Sequence, residues 1–234
     1  MLAIFAHPDD ETAIGEVLTK YAEMGYKVQL IVATDGKDGT RVSDIPAGDE
    51  LGRLRKDESR CGAKKLGIEE PIFLGIERLD TKIGVGKYFT AHRQFLDELR
   101  KRIPSIDPAL IITFGPDGDT SHAEHIVAGA TVTELLLSEG WVKKYPLYYL
   151  AWAKGVGAMG ESFDVGYVHD KYMNVRIPYS QAIEDRALDM IPCYKTQFTA
   201  DEMREDRKKK IEDKSNILFF RQFVVKEGQK KTGF

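Results

Sequence analysis

The chain has 234 residues, 42% hydrophobic and 30% charged, which is the composition of an ordinary globular protein. Its formal net charge of −3 gives no electrostatic case for a nucleic-acid partner or an acidic membrane surface. No stretch reaches the roughly 18 apolar residues that a membrane span needs, so we expect no membrane association.

Along the chain, the apolar residues alternate between the spacing of buried strands and the spacing of helices. The predicted strands cover residues 2–6, 28–34, 71–75, 109–114, 146–151, 173–177 and 217–225. The predicted helices cover residues 12–24, 50–66, 88–103, 122–139, 180–191 and 199–210. This alternation favours an α/β fold, a Rossmann-like, mostly parallel sheet with helices on both faces. No segment has the composition of a linker, so we expect one domain over residues 1–234.

The cysteines, the charged runs and the aromatic residues give expectations about location and surface. Cys61 and Cys193 belong to no metal-ligand pattern, and we expect both to be reduced thiols. No signal peptide precedes the first strand, so the cytoplasm is the expected location. The basic run REDRKKKIEDK (204–214) is interleaved with acids and predicts a solvated helix face. An aromatic stretch is typical of either a core or a homo-oligomer interface, and we expect part of it at an interface because Trp and Tyr are favoured there: Trp141, Tyr145, Tyr148, Tyr149 and Trp152.

Polar side chains gather where three predicted strands end. HPDDE (7–11) follows the first strand, TDGKDGT (34–40) the second and GPDGDTSHAEH (115–125) the fourth. Ligands of open α/β sheets bind off the carboxyl ends of the strands, so one rim of the sheet should carry the site. The side chains expected there are His7, Asp9, Asp10, Asp35, Asp117, Asp119, His122 and His125.

Two histidines with a carboxylate suit a divalent transition metal, zinc first. With no cysteine nearby, such a set leaves a coordination position open for water, which is the catalytic arrangement. A structural alternative is that Asp9 or Asp10 simply caps the helix that begins near residue 11 or 12. HPDDE after one buried strand and SHAEH after another favour the metal site over that alternative.

These motifs resemble those of the PIG-L (LmbE-like) family of zinc-dependent N-deacetylases, which remove acetyl groups from N-acetylglucosamine-type sugars. The resemblance rests first on AHPDDE (6–11) and on the D-G-x-x-x-H-x-x-H pattern of residues 117–125. ATDGKDGT (33–40), the R-x-x-E pair Arg55 and Glu58, and ALDMIPCYKTQ (187–197) also resemble family segments. This sequence departs from the family pattern at two positions, where Glu124 replaces an aspartate and Tyr194 replaces a histidine. Loops 41–49, 76–90 and 153–170 match nothing in the family and should shape the substrate pocket.

The resemblance implies a role for each matching residue. It makes His7, Asp10 and His125 the ligands of one Zn²⁺ per chain. Asp9 would be the general base, and His122 a second proton-handling or oxyanion-stabilising group. The small-molecule substrate, an N-acetylated sugar or its conjugate, would be contacted by Arg55 and Asp35.

Four other functions remain to be weighed. Paired aspartates also serve magnesium- or manganese-dependent phosphoester hydrolysis, although two histidines favour zinc. An amidase of a sugar-thiol conjugate would use the same machinery. A nucleotide-binding module would need a G-x-G-x-x-G after the first strand, which is absent, and a binding-only relative would not need the intact set of histidines and aspartates.

Overall fold

A single seven-stranded sheet runs through the part of the chain that the structure describes. The structure is a computed structural model and describes residues 1–153 and 166–226, together with residues 228 and 232. The strands are β1 (Leu2–Phe5), β2 (Gln29–Thr34), β3 (Ile72–Ile76), β4 (Ile111–Thr113), β5 (Leu147–Ala151), β6 (Val175–Pro178) and β7 (Ile217–Gln222). Their order is β3-β2-β1-β4-β5-β7-β6.

Helices cover both faces of this sheet, as the sequence predicts. They are α1 (Gly15–Glu23), α2 (Asp49–Leu66), α3 (Val85–Ile106), α4 (Gly118–Ser121), α5 (Ala123–Ser138), α6 (Gln181–Leu188) and α7 (Ala200–Glu212). One apolar cluster joins the sheet to α3 and α5, through residues such as Phe95 and Val132. A second cluster on the other face includes Leu18 of α1 and Leu66 of α2. The predicted α/β fold class is therefore confirmed.

The strand pairing explains where a site can form. β1 pairs in parallel with β2 on one side and with β4 on the other, and β4 pairs in parallel with β5. Only the β5-β7 and β7-β6 pairs are antiparallel. The chain order therefore changes direction between β1 and β4, and their carboxyl ends form the crevice in which open α/β sheets bind ligands.

The six predicted helices begin and end within three residues of their predicted bounds, and two of the differences are informative. The first helix is split, because a 3₁₀ turn over Asp10–Ile14 precedes α1. The third predicted helix covers 88–103 and ends before Pro104, yet α3 begins at Val85 and continues through Pro104 to Ile106. Proline lacks one backbone donor, but Ile103 lies fully buried and Ile106 packs against the same core, so packing outweighs that loss.

The prediction of reduced thiols is wrong in this structure. Cys61 and Cys193 form a disulfide that joins α2 to the 3₁₀ turn Ile191–Cys193. Sequence spacing could not indicate it, because the two residues are 132 positions apart and only the packing of that turn on α2 brings them together.

The other surface predictions can be compared directly with burial. Helix α7, which carries most of the basic run, has no buried residue, so its expected solvation is confirmed. The aromatic stretch belongs to the core: all five rings are buried or packed against one of the two clusters. None of the helices in the described ranges has the length and apolar composition required to cross a bilayer.

Candidate active site

Three donor atoms converge at the carboxyl ends of β1 and β4. The Nδ1 atom of His7 lies 3.3 Å from Nε2 of His125, which lies 3.1 Å from Oδ1 of Asp10. The third side of the triangle, between His7 Nδ1 and Asp10 Oδ1, is 3.7 Å. Tetrahedral zinc with bonds of about 2.0–2.2 Å needs ligand atoms about 3.3–3.6 Å apart, so the triangle has the size of one face of a zinc site.

Each of these side chains is oriented by a contact on its other end. Glu124 Oε2 lies 2.9 Å from His7 Nε2, and the Gly118 carbonyl oxygen lies 3.1 Å from His125 Nδ1. Asp10 Oδ2 accepts the backbone N–H groups of Ala6 and His7. Because one end of each side chain is occupied, His7 Nδ1, His125 Nε2 and Asp10 Oδ1 are the atoms left to face the centre.

These contacts contradict the helix-cap alternative. Asp9 occupies the N-cap position of the 3₁₀ turn but makes no side-chain cap hydrogen bond. Asp10 bonds backward, to backbone N–H groups that precede it. Neither aspartate side chain therefore satisfies a helix terminus.

The charges of the cluster favour a cation between the rings. Although burial alone would lower it, Asp10 and Glu124 raise the pKa of His7 to about 10. Burial would raise the pKa of Asp10, but His125 and His7 hold it well below its usual range. The side chains of His7, Asp10 and His125 are only 5–12% exposed, so water screens this field weakly. The carboxylates therefore stabilise a positive charge here, whether a proton or a metal ion.

Asp9 is held beside this cluster in a strained conformation. Its φ of 120° lies in the region that L-residues rarely adopt, which costs about 1–3 kcal/mol and persists only when contacts enforce it. Arg55 Nη2 donates to Asp9 Oδ1 at 3.0 Å, and the Asp9 backbone N–H donates to Glu11 at 2.9 Å. Burial raises the pKa of Asp9 and Arg55 opposes that rise.

Arg55 connects the loops that follow β1 and β2. It is 4% exposed, and besides Asp9 it donates to the carbonyl oxygens of Pro8 and Gly36. A Cβ atom at Gly36 or Gly39 would overlap the guanidinium, which explains both glycines of the DGKDG segment. The substrate contact expected of Arg55 stays a prediction; what the structure shows is an arginine that positions Asp9.

Glu11, the third carboxylate of the HPDDE motif, is a buried structural hub. It accepts hydrogen bonds from the Ser59 hydroxyl and from the Tyr194 hydroxyl, as well as from Asp9. Tyr194 is fully buried, so the departure from histidine places a packing residue below the site. Next to it, Glu58 of the R-x-x-E pair accepts from Thr196, so two motifs that lie far apart in sequence meet.

His122 lies at the mouth of the cluster as the N-cap of α5. One nitrogen from each of His7, His122 and His125 lies within 4.8 Å of the others. Its Nδ1 accepts the Glu124 backbone N–H at 3.3 Å, which leaves Nε2 to carry the proton of the neutral ring. Burial, with the nearby His7 and His125, lowers the pKa of His122 to about 4. His122 can therefore donate a hydrogen bond from Nε2 while uncharged.

The remaining rim aspartates have other partners. Asp35 lies 3.9 Å from Lys56, and its expected substrate contact stays a prediction. Asp117 accepts the backbone N–H of Asp119, whose carboxylate accepts the Trp152 indole N–H. Sequence reasoning missed Arg78, which contacts Glu124, because an isolated arginine in a loop carries no motif. Of the loops expected to shape the pocket, residues 154–165 lie outside the described residues.

Comparison with known proteins identifies the family. The model of the PIG-L family, described as GlcNAc-PI de-N-acetylase, matches residues 2–136 of the chain. The chain belongs to the PIG-L family. That membership confirms the resemblance seen in the AHPDDE motif and the expected class of enzyme, an N-deacetylase that hydrolyses an amide bond.

Individual relatives agree with this assignment. A 1D-myo-inositol 2-acetamido-2-deoxy-alpha-D-glucopyranoside deacetylase from Mycolicibacterium vanbaalenii is 26% identical over 212 residues, which cover 81% of this chain and 74% of that protein. Against that protein and seven other deacetylases of the same name, the chain spans between 51% and 74% of the relative's length.

Solved structures share the fold. The N,N'-diacetylchitobiose deacetylase of Pyrococcus horikoshii has a TM-score of 0.68 at 20% identity and covers 95% of this chain and 82% of its own. A 4-carboxy-2-hydroxymuconate hydratase of Pseudomonas putida has a TM-score of 0.66 at 15% identity, with 99% and 98% covered. Because a hydratase shares the architecture, the fold does not determine the reaction, and the site residues must.

Proposed function

We propose that this PIG-L protein is a zinc-dependent deacetylase that hydrolyses the acetamide of an N-acetylglucosamine-type sugar or its conjugate. The observation that carries the proposal is the triangle of His7 Nδ1, Asp10 Oδ1 and His125 Nε2, with sides of 3.1–3.7 Å. Two imidazoles with one carboxylate are a donor set that zinc prefers and that magnesium does not. We assign one Zn²⁺ per chain to these three ligands.

The chemistry needs a nucleophile from water, because no serine or cysteine of the described residues is hydrogen-bonded to a histidine of the cluster. Bound zinc would supply a Lewis acid, which would lower the pKa of water toward neutrality and so favour its use as the nucleophile. Asp9 would accept a proton from the attacking water as the water oxygen adds to the acetyl carbonyl carbon. Arg55 fixes one oxygen of Asp9, and the backbone bond to Glu11 fixes its main chain, so the carboxylate is preorganised for this transfer.

His122 stabilises the negative charge that develops on the carbonyl oxygen. Its Nε2–H donates to that oxygen without the ring first acquiring a proton, since Nδ1 is the acceptor of the Glu124 N–H. A preorganised donor of this kind typically contributes about 2.7–4 kcal/mol to the transition state. The proton on Asp9 then passes to the amide nitrogen, the C–N bond breaks, and acetate and the free amine leave.

The substrate class comes from the relatives. The proteins similar to this chain act on an N-acetylglucosaminyl inositol and on diacetylchitobiose, and both substrates present an acetamide on a glucosamine ring. We therefore propose a small N-acetylated aminosugar or its conjugate as the partner of this site. The sequence also predicts a single domain over residues 1–234 and a homo-oligomer, and both stay predictions.

The proposed location is the cytoplasm, and the Cys61–Cys193 disulfide is the observation that opposes it. Cytosolic glutathione and thioredoxin keep most thiols reduced. Rapid alkylation of thiols in intact cells, followed by mass spectrometry of the chain, measures the redox state there. Two alkylated cysteines support the cytoplasm, whereas an unmodified pair from an oxidising compartment contradicts it.

An acetate-release assay tests the proposed reaction. The purified chain, stripped with chelator and reloaded with zinc, is incubated with N-acetylglucosamine, N-acetylglucosaminyl inositol and diacetylchitobiose. We expect equimolar acetate and free amine from at least one of them, lost with chelator and restored by zinc. Zinc-dependent hydrolysis of aryl phosphates with no acetate release would contradict the deacetylase and favour the phosphoesterase.

A further inference from the structure

The loop after β3 carries an arginine that touches three acidic residues from three parts of the chain. Arg78 Nη1 donates to Asp38 in the loop after β2 at 2.7 Å. Its Nε and Nη2 donate to the two carboxylate oxygens of Asp80 at 2.6 Å and 3.0 Å. Nη2 also lies 3.8 Å from Oε2 of Glu124, at the start of α5. The Arg78 side chain is 16% exposed, and its partners Asp80 and Glu124 are 8% and 6% exposed, so these two pairs lie largely out of water. Asp38 is 50% exposed, so that pair faces solvent.

Glu124 is the link between this arginine and the candidate zinc site. It is 4% exposed, its Oε1 accepts the backbone N–H of Leu79 at 2.7 Å, and its Oε2 contacts His7 Nε2 at 2.9 Å. Arg78 therefore approaches Oε2 of this buried carboxylate, while the next residue, Leu79, donates to Oε1. Partners on both oxygens fix the plane of that carboxylate and with it the ring of His7.

Arg78 itself is fixed by the geometry of its pair with Asp80. Two parallel N–H···O bonds hold the guanidinium in one plane, which a lysine cannot reproduce. Asp80 is in turn held, because its Oδ1 also accepts the Lys82 N–H and caps the 3₁₀ turn Thr81–Ile83. The position of the guanidinium is thus set before any metal binds.

We propose that Arg78 is a positioning residue for the metal site: it orients Glu124, which orients His7, and so sets the affinity for zinc. The inference rests on the proposed function, since it assumes that His7 Nδ1 is a zinc ligand. Arg78 makes no contact with a ligand atom itself. Its effect therefore has to pass through Glu124.

The first test is the zinc dissociation constant of the chelator-stripped protein, measured by competition with a chromophoric chelator. Loss of an outer-shell partner typically weakens metal binding 10- to 100-fold. We expect Arg78→Lys, which keeps the charge but loses the fork, to raise the dissociation constant about tenfold, at the low end of that range. Arg100→Lys is the matched control, because Arg100 also bridges two carboxylates, Asp97 and Glu139, but on the exposed surface of α3.

A double-mutant cycle separates the proposed route from a general loss of structure. Glu124→Gln should weaken zinc binding at least as much as Arg78→Lys, and the double variant should bind no more weakly than Glu124→Gln alone. If the fold-changes in the dissociation constant of the two single variants multiply in the double variant, Arg78 does not act through Glu124 and the inference is overturned. So would an unchanged dissociation constant in Arg78→Lys when the parent protein binds zinc. With chelator present, the melting temperature of Arg78→Lys should differ from that of the parent by no more than the melting temperature of Arg100→Lys does.

This experiment also distinguishes the inference from the proposed function. If the parent protein binds no zinc at all, the zinc-dependent deacetylase fails and the inference fails with it. If the parent binds zinc and releases acetate while Arg78→Lys binds zinc as tightly, only the role of Arg78 is wrong.

Discussion

The Cys61–Cys193 disulfide leads to a large effect on stability. It closes a loop of 132 residues between α2 and the turn that precedes Tyr194. The chain-entropy relation gives about 5 kcal/mol for a loop of this length at 25 °C, if the cross-link acts mainly on the unfolded chain. For a chain of this size, each kcal/mol shifts the melting temperature by about 2–4 °C. Breaking the disulfide should therefore lower the melting temperature by about 10–20 °C.

Thermal unfolding followed by circular dichroism, with and without a phosphine reductant, measures this shift. The oxidised parent should melt well above the Cys61→Ala, Cys193→Ala double variant, and reductant should lower the parent alone. Mass spectrometry of the alkylated chain confirms which species is present. A parent that melts at the same temperature with and without reductant, and reacts with two equivalents of alkylating agent, would refute the reasoning.

Three further predictions concern the site and its support. Asp9→Asn should retain zinc by elemental analysis while kcat falls about 10²- to 10⁴-fold, and an unchanged kcat would remove Asp9 as the base. Gly36→Ala should lower both the melting temperature and kcat, because residue 36 has a φ of +62° and an added Cβ would overlap the Arg55 guanidinium. Gly86→Ala is the control and should change neither, because a Cβ there meets no atom within 4 Å. Tyr194→Phe should cost about 1–3 kcal/mol in urea unfolding, since it leaves buried Glu11 short of a donor; a change below about 0.5 kcal/mol would mean that the bond contributes little.

Much of the fold follows from local patterns in the sequence. The buried strand LAIF and the centre of QLIVAT are continuous apolar runs. Helix α2 ends at Gly67, which adopts the left-handed conformation that glycine favours. The carboxyl-end rule then brings the loops after β1 and β4 together without any knowledge of side-chain contacts. For that reason, the prediction that His7, Asp10 and His125 share one rim required only that the strands before them run in parallel.

What could not be predicted depends on contacts between distant residues. The disulfide requires the turn at Ile191–Cys193 to dock on α2. The role of Arg78 requires the loops after β2 and β3 to meet the start of α5. Neither arrangement leaves a period or a motif in the sequence, because each is produced by tertiary packing. Glu11 is an intermediate case, since its motif is visible while its partners Ser59 and Tyr194 are not.

A crystal structure of the zinc-loaded protein, with anomalous diffraction recorded on both sides of the zinc absorption edge, tests the central claim most directly. The account predicts one anomalous peak per chain, about 2.0–2.2 Å from His7 Nδ1, Asp10 Oδ1 and His125 Nε2. Asp9 and His122 should flank the peak without coordinating it. A peak elsewhere, or no peak at these three atoms in protein that contains stoichiometric zinc, would contradict the site and the mechanism built on it.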